Sequence, residues 1–157
     1  MKFKDIGEPG GPRLPRAANL ALADMRMSFR CAKTASMTTK ELGNQLVEFC
    51  KAGKNDEAIK SLYANDIVSV EAGAPPGQPR EAKGLAACVE KGKQWAAAHE
   101  VHSAAIEGPY PHDDRFTVVF HYDITRRADK QRFTMKEVGL FTVKNDKIVR
   151  EEFFYSM

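Results

Sequence analysis

The stretch Val138-Gly139-Leu140-Phe141-Thr142-Val143-Lys144-Asn145-Asp146-Lys147-Ile148-Val149-Arg150-Glu151-Glu152-Phe153-Phe154-Tyr155 decides the fold. Two runs rich in β-branched and aromatic residues flank Asn145-Asp146, a pair that tolerates the positive φ angles of a tight hairpin turn. The spacing predicts a long β-hairpin at the end of the chain. With Asn145 and Asp146 as the two turn residues, Glu137 faces Phe154, Gly139 faces Glu152 and Phe141 faces Arg150. Side chains alternate between the faces of a strand, so Phe133, Met135, Glu137, Gly139, Phe141 and Val143 share one face with Ile148, Arg150, Glu152 and Phe154. The opposite face carries Val138, Leu140, Val149, Phe153 and Tyr155. Both faces are substantially apolar and both need cover. One is expected to wall an interior and the other to pack at a dimer interface.

Working back from the hairpin, residues 131–144, 115–125 and 101–107 read as three further strand segments, the first of them its leading arm. Ahead of them, residues 81–99 read as a helix that sets Leu85, Cys88, Gly92, Trp95 and His99 on one stripe. Gly73-Ala74-Pro75-Pro76-Gly77-Gln78-Pro79 must be a loop. Residues 66–71 alternate as a strand. Thr38 with Glu41 three residues on is a capping-box pattern, and Leu42, Leu46, Phe49 and Cys50 then recur on one helical face that ends at Gly53. A second helix follows, with Asn55 as its cap. The order ααβαββββ predicts an α+β fold, helices packed on one face of a bent antiparallel sheet.

Composition narrows the class. The chain has 157 residues, 43 % of them hydrophobic and 29 % charged, which fits one globular domain with a tail. No apolar run reaches the length of ~18 residues that a membrane span needs. Cys31, Cys50 and Cys88 are an odd number with no CxxC pair, so neither a disulfide framework nor a zinc ribbon is expected, and a reducing cytoplasm is. The formal charge of +3 is unevenly spread. Residues 1–36 hold seven Lys and Arg against three acids, while the rest of the chain holds 17 basic and 18 acidic side chains. The body therefore lacks the clustered basic face of a nucleic-acid binder. Residues 1–36, with Gly7-Glu8-Pro9-Gly10-Gly11-Pro12, read as a disordered basic extension, and Met37 reads as the natural start of the domain.

The element order, the proline-rich loop before the third helix and the closing hairpin resemble the SnoaL-like branch of the nuclear transport factor 2-like superfamily, over residues 37–157. The resemblance implies a cystatin-like cone, in which a curved antiparallel sheet wraps three N-terminal helices and a pocket opens at the wide end. It also implies a range of activities: steroid isomerases, polyketide cyclases, epoxide hydrolases, dehydratases and non-catalytic binding proteins share the fold. SnoaL-like cyclases carry an Asp acid–base residue in the pocket. Here Asp123 is the aspartate to weigh, and the sequence leaves its orientation open.

Within such a pocket Glu137 is the leading catalytic or ligand-orienting candidate. An acid among Phe and Met side chains is desolvated, and its pKa rises into the range that acid–base work needs. The alternative is a cross-strand ion pair, Glu137 or Glu152 with Arg150, which performs no chemistry. His121 and Asp123 alternate with Phe116, Val118, Phe120 and Tyr122. If the polar set faces inward, the two form a proton relay; if not, a solvent-facing edge. Tyr63 as a hydrogen-bond donor, Glu71, Trp95 as an apolar wall, His99, Arg150 and Glu152 complete the candidate ligand-binding set. No HxH or HExxH spacing marks a metal site, and no dinucleotide or P-loop fingerprint marks a cofactor. Three functions follow as expectations. The first is a pocket for a small, mostly apolar metabolite. The second is a cofactor-independent acid–base enzyme of isomerase, cyclase, dehydratase or epoxide hydrolase type. The third is a homodimeric association module acting through the face with Phe153 and Tyr155. No nucleic-acid or membrane partner is expected.

Overall fold

The computed structural model describes residues 36–74 and 77–156. The basic extension, Ser36 apart, lies outside the described residues, as do Pro75 and Pro76 of the loop. Helix α1 (Thr39–Lys51) starts where the capping box predicts. The Thr38 hydroxyl accepts from the Glu41 amide at 3.2 Å, and the Glu41 carboxylate accepts from the Thr38 amide at 2.8 Å. Its buried stripe is Leu42, Gly43, Leu46 and Val47, with Phe49 and Cys50 packed beside it. Helix α2 (Asn55–Leu62) follows, with Lys54 rather than Asn55 at the cap position and no side-chain cap.

Strand β1 (Tyr63–Val70) leads to β2 (Glu81–Lys83), α3 (Leu85–Ala98), β3 (His99–His112), β4 (Arg115–Arg126), β5 (Arg132–Lys144) and β6 (Lys147–Phe154). The expected helix over 81–99 therefore loses its first turn to β2, which pairs with the end of β1. Gly84, at φ +88°, makes the break between that strand and α3. The six strands form one sheet in the order β2-β1-β6-β5-β4-β3. All neighbours are antiparallel except β1 and β6, which run parallel, so the sheet is mixed rather than purely antiparallel.

The helices cover one face of this sheet. On β4 the inward set is Phe116, Val118, Phe120 and Ile124, which are buried. Phe116, Val118 and Phe120 continue into Phe141 on β5 and Ile148 on β6, and meet Leu42, Leu46, Leu62 and Ile67. Phe116 stacks on Phe141 with centroids 5.0 Å apart. The apolar residues of β4 are the ones that gain from burial, which settles the orientation the sequence left open. Thr117, His121 and Asp123 face the outside.

The closing hairpin turns at Asn145 and Asp146, with φ of 52° and 59° as expected. Its first pairs, Lys144 with Lys147 and Val143 with Ile148, follow the predicted register. Beyond them Thr142 pairs with Arg150, Phe141 with Glu151, Gly139 with Phe153 and Val138 with Phe154. A bulge at Val149 has added one residue to β6, and one residue of slip moves every later side chain to the other face. Glu151, Phe153 and Tyr155 therefore join the interior wall. Arg150, Glu152 and Phe154 go outside, the reverse of the sequence expectation.

Candidate functional site

Among the described residues the buried polar side chains are Ser69 and Glu151, the latter 3 % exposed. A carboxylate taken out of water must be paired and hydrogen-bonded, and Glu151 is both. It accepts from the Tyr63 hydroxyl at 2.6 Å and from the Ser69 hydroxyl, and lies 3.2 Å from the Lys91 ammonium. Lys91 reaches over from α3, where it follows Cys88 by three residues on the inward side. It also bonds Glu71 at 2.7 Å and Ser69, and stands 4.6 Å above the Phe153 ring. The Tyr155 hydroxyl donates to the other Glu71 oxygen at 3.1 Å. A continuous chain of polar groups thus runs from Tyr63 beneath α2 to Tyr155 after the last strand.

The electrostatics follow from this packing. Burial pushes the Tyr63 hydroxyl well above its ordinary pKa, and Glu151 adds to the effect. Burial works to lower the pKa of Lys91, but Glu151 and Glu71 outweigh it and hold the ammonium above its usual range. Tyr155 is pushed up to about 12 by burial and then by Glu71. Cys50 and Cys88 are raised by burial to about 12 and about 11, which leaves both thiols protonated and unreactive.

Glu137 stands apart from this chain. It pairs across the strands with Phe120 and so lies on the inward face of β5, between Met135 and Gly139. No protein group hydrogen-bonds or ion-pairs its carboxyl among the described residues. Burial, with Glu71 and Glu151 adding to it against Lys91, raises its pKa from 4.5 to about 7. Such a carboxyl exchanges a proton readily near neutrality. Next to it, Tyr122 stacks along Phe120 and packs against Trp95, whose indole in turn lies 4.9 Å from the His99 ring. His99 itself is tied to the Trp95 carbonyl at 3.0 Å.

The structure places Glu137, Tyr63, Glu71, Trp95 and His99 on the interior side, with Tyr63 and Glu71 in the polar chain and Trp95 and His99 in contact with each other. It does not bring His121, Asp123, Arg150 or Glu152 to them. His121 lies 3.1 Å from Glu107 and Asp123 is clasped by Arg132 at 2.7 Å. Both line a shallow outer groove of about 500 Å³ with Ser103, Ala105, Thr134 and Lys136. Arg150 pairs with Glu152 at 3.1 Å. The pair lies within β6, two residues apart rather than across strands, and Glu137 takes no part in it. Sequence reasoning missed Ser69, Lys91, Tyr122, Glu151 and Tyr155. A lysine three residues after Cys88, on the apolar stripe of α3, was the available signal for one of them. Among the described residues no group of three or more His, Cys, Asp and Glu is placed to hold a metal, and no helix is long and apolar enough to cross a membrane.

Comparison with known proteins agrees with this architecture. A Mesorhizobium loti protein whose structure carries the provisional name SnoaL-like polyketide cyclase [carbohydrate phosphatase] is 41 % identical, with TM-score 0.72, over 76 % of this chain and 100 % of that one. A provisionally named isomerase from Bacillus subtilis is 15 % identical, with TM-score 0.63, over 76 % of this chain and 90 % of its own. A ketosteroid isomerase-like fold from Catenulispora acidiphila, solved with trimethylamine, is 22 % identical, with TM-score 0.60, over 76 % and 88 %. The last two are similar in fold alone. No curated protein matches the chain. The family model for the SnoaL-like domain matches residues 37–155, nearly all of the described residues, and the chain belongs to the SnoaL-like domain family.

Proposed function

We propose that the interior wall around Glu137 binds a small, mostly apolar metabolite, and that Glu137 is the group that orients it or exchanges a proton with it. The observation that carries this reading is the partnerless Glu137 carboxyl, with a pKa raised to about 7, beside the Trp95–Tyr122–Phe120 aromatic series. Among the described residues the interior Glu71 and Glu151 carboxylates have protein partners on their oxygens, whereas Glu137 keeps its hydrogen-bonding capacity for something else. Under the enzymatic form of the reading, Glu137 moves the proton of an isomerisation, cyclisation, dehydration or epoxide opening, and no cofactor is called for. Free thiols at Cys50 and Cys88 are in keeping with a cytoplasmic setting.

The test is a thermal-shift screen of cyclic ketones, lactones and hydroxy compounds on wild type and Glu137→Gln. A ligand raises the melting temperature by mass action. A hit that is lost in Glu137→Gln supports the reading and directs a search for turnover. Hits that bind both proteins equally remove Glu137 from the site.

A homodimer is a second proposal, favoured by Phe154, which is 54 % exposed on the outer sheet face near Val138 and Leu140. Phe153, once expected at that interface, lies inside. Phe154→Glu should convert a dimer to monomer in light scattering, and a monomeric wild type would end the proposal.

A further inference from the structure

We propose that the Glu137 wall selects a small organic cation, a substituted ammonium whose alkyl groups lie on the aromatic rings while its charge is matched by the Glu137 carboxylate. The proposal rests on the reading of the interior wall as a ligand site and names the class of ligand. It stands first on where the charges are committed. Just after β1 comes Glu71, from β5 Glu137, from β6 Glu151, and from α3 Lys91, the one ammonium among the described residues that contacts the cluster. Lys91 is held between Glu71 and Glu151, so its charge is spent on those two. Tyr63 is committed to Glu151 and His99 to the Trp95 carbonyl, and the other titratable groups that feel Glu137 are Cys50 on α1, Tyr122 on β4 and Tyr155 after β6. All three are held neutral by burial and bring no positive charge. With Glu137 ionised, three carboxylates stand against one ammonium. An anion entering this wall meets net like charge at low solvation, and a cation meets its complement.

The second ground is the surface on which such a ligand lies. Trp95 and Tyr122, both half-buried, have ring centroids 5.4 Å apart, and the buried Phe120 backs Tyr122 from behind at 6.1 Å. Aromatic faces attract alkylated ammonium groups through the ring quadrupole while offering apolar contact. The protein already uses this interaction next door, where the Lys91 ammonium sits over Phe153. A neutral ligand gains the apolar contact but leaves the Glu137 charge unmatched.

Three near-isosteric probes separate the terms: tetramethylammonium (permanently cationic), pinacolone (neutral) and pivalate (anionic). Binding is followed by NMR on the full chain, with the Glu137 carboxyl carbon observed directly, between pH 5 and 8. The expected result is that tetramethylammonium binds most tightly at pH 8 and lowers the apparent pKa of Glu137. Its affinity falls about tenfold per pH unit below roughly pH 7, because the proton and the cation compete for one carboxylate. Glu137→Gln abolishes that binding and its pH dependence, while Glu107→Gln on the outer face changes neither. Tighter binding of pinacolone or pivalate than of tetramethylammonium, with sensitivity to Glu137→Gln, overturns the cation proposal and keeps the ligand site. Tetramethylammonium binding that ignores Glu137→Gln also overturns it. No perturbation of the Glu137 carbon by any probe overturns the proposal and counts against the underlying reading.

Discussion

The Tyr63 hydroxyl donates a 2.6 Å hydrogen bond to the buried Glu151 carboxylate, joining the first residue of β1 to a residue 88 positions later in β6. These are the strands that pair in parallel, and the bond crosses the one neighbouring pair that no hairpin connects locally. Ser69 and Lys91 bond the same carboxylate, so β1 and α3 converge on one side chain of β6. A charged acceptor in a buried site makes each of these bonds worth more than a neutral one on the surface.

Tyr63→Phe keeps the ring packed and removes only that donor. The expected loss is about 1.5–3 kcal/mol of unfolding free energy, the usual range for a hydrogen bond to a charged group. Urea denaturation with an unchanged slope is the measurement. A loss below about 0.5 kcal/mol, within the range of ordinary surface substitutions, shows that Tyr63 contributes packing alone.

The bulge at Val149 makes Arg150 and Glu151 a matched pair of tests. Arg150 lies outside in an ion pair with Glu152, and exposed pairs of this kind contribute roughly 0–1 kcal/mol. Glu151 is interior, and its removal strands the Tyr63 hydroxyl, takes the acceptor from the Ser69 hydroxyl and leaves Lys91 to Glu71 and Ser69. Arg150→Ala should therefore be nearly neutral, while Glu151→Ala should lower the urea midpoint several times more. The reverse ranking restores the unbulged register and exchanges the two faces of β6.

What the sequence made legible was local. The Thr38–Glu41 box, the Asn145–Asp146 turn and most of the element order follow from residues a few positions apart; the structure keeps the first two and adds only β2, ahead of α3, to the third. The family resemblance was readable in the closing hairpin itself, and with it the cone. The inward placement of Glu137 was also within reach, because β5 holds its alternation from Phe133 to Phe141 without interruption. The bulge was not. One unpaired residue at Val149 costs no visible signature in a run where every residue suits a strand, yet it exchanges Glu152 for Glu151. The orientation of β4 was a choice between two sets that differ mainly in apolar area, and burial resolves it toward Phe116, Val118 and Phe120. The Lys91 chain lay beyond sequence reading because it joins β1, α3 and β6, and register between distant elements is set only when they pack.

Gly139 lies between Glu137 and Phe141 on the wall, and a Cβ there would stand 2.7 Å from the Phe141 ring and 3.3 Å from Phe120. Both rings are buried, so making room for a Cβ means tilting them into packed neighbours. Gly139→Ala should cost about 1–3 kcal/mol through overpacking, despite the better strand propensity of alanine. Its nearness to Glu137 adds a second readout, since tilting Phe120 changes the desolvation of the carboxyl and shifts its titration. A neutral or stabilised variant with an unchanged Glu137 titration shows that the ring moves aside freely.

The titration of Glu137 fixes the sign of a pH effect on stability. In the folded protein the carboxyl titrates at about 7, against 4.5 ordinarily. Below about pH 4.5 both states hold the proton and the group contributes no slope. Between that value and 7 the native state holds the proton and the unfolded state has lost it, so stability falls as pH rises. Above 7 both are ionised and the penalty is constant, with an upper limit of about 3 kcal/mol, reduced by whatever solvent reaches the carboxyl. Glu137→Gln cannot ionise and should escape the penalty. The variant should therefore match wild type near pH 4.5 and exceed it by about 1–3 kcal/mol at pH 8, with the gap opening across the window between. Taking the difference between the two proteins cancels the opposite, acid-side contributions of Glu41, Asp123 and Asp129, whose pKa values are lowered by hydrogen bonds common to both. Chemical denaturation at half-unit pH steps reads this directly. A gap that never appears by pH 8 means that Glu137 is solvated like a surface carboxylate and is not the neutral-range acid of the interior wall, and a gap already open at pH 4.5 that stays constant to pH 8 reports a packing difference between Glu and Gln and equally removes the titration from the interior wall.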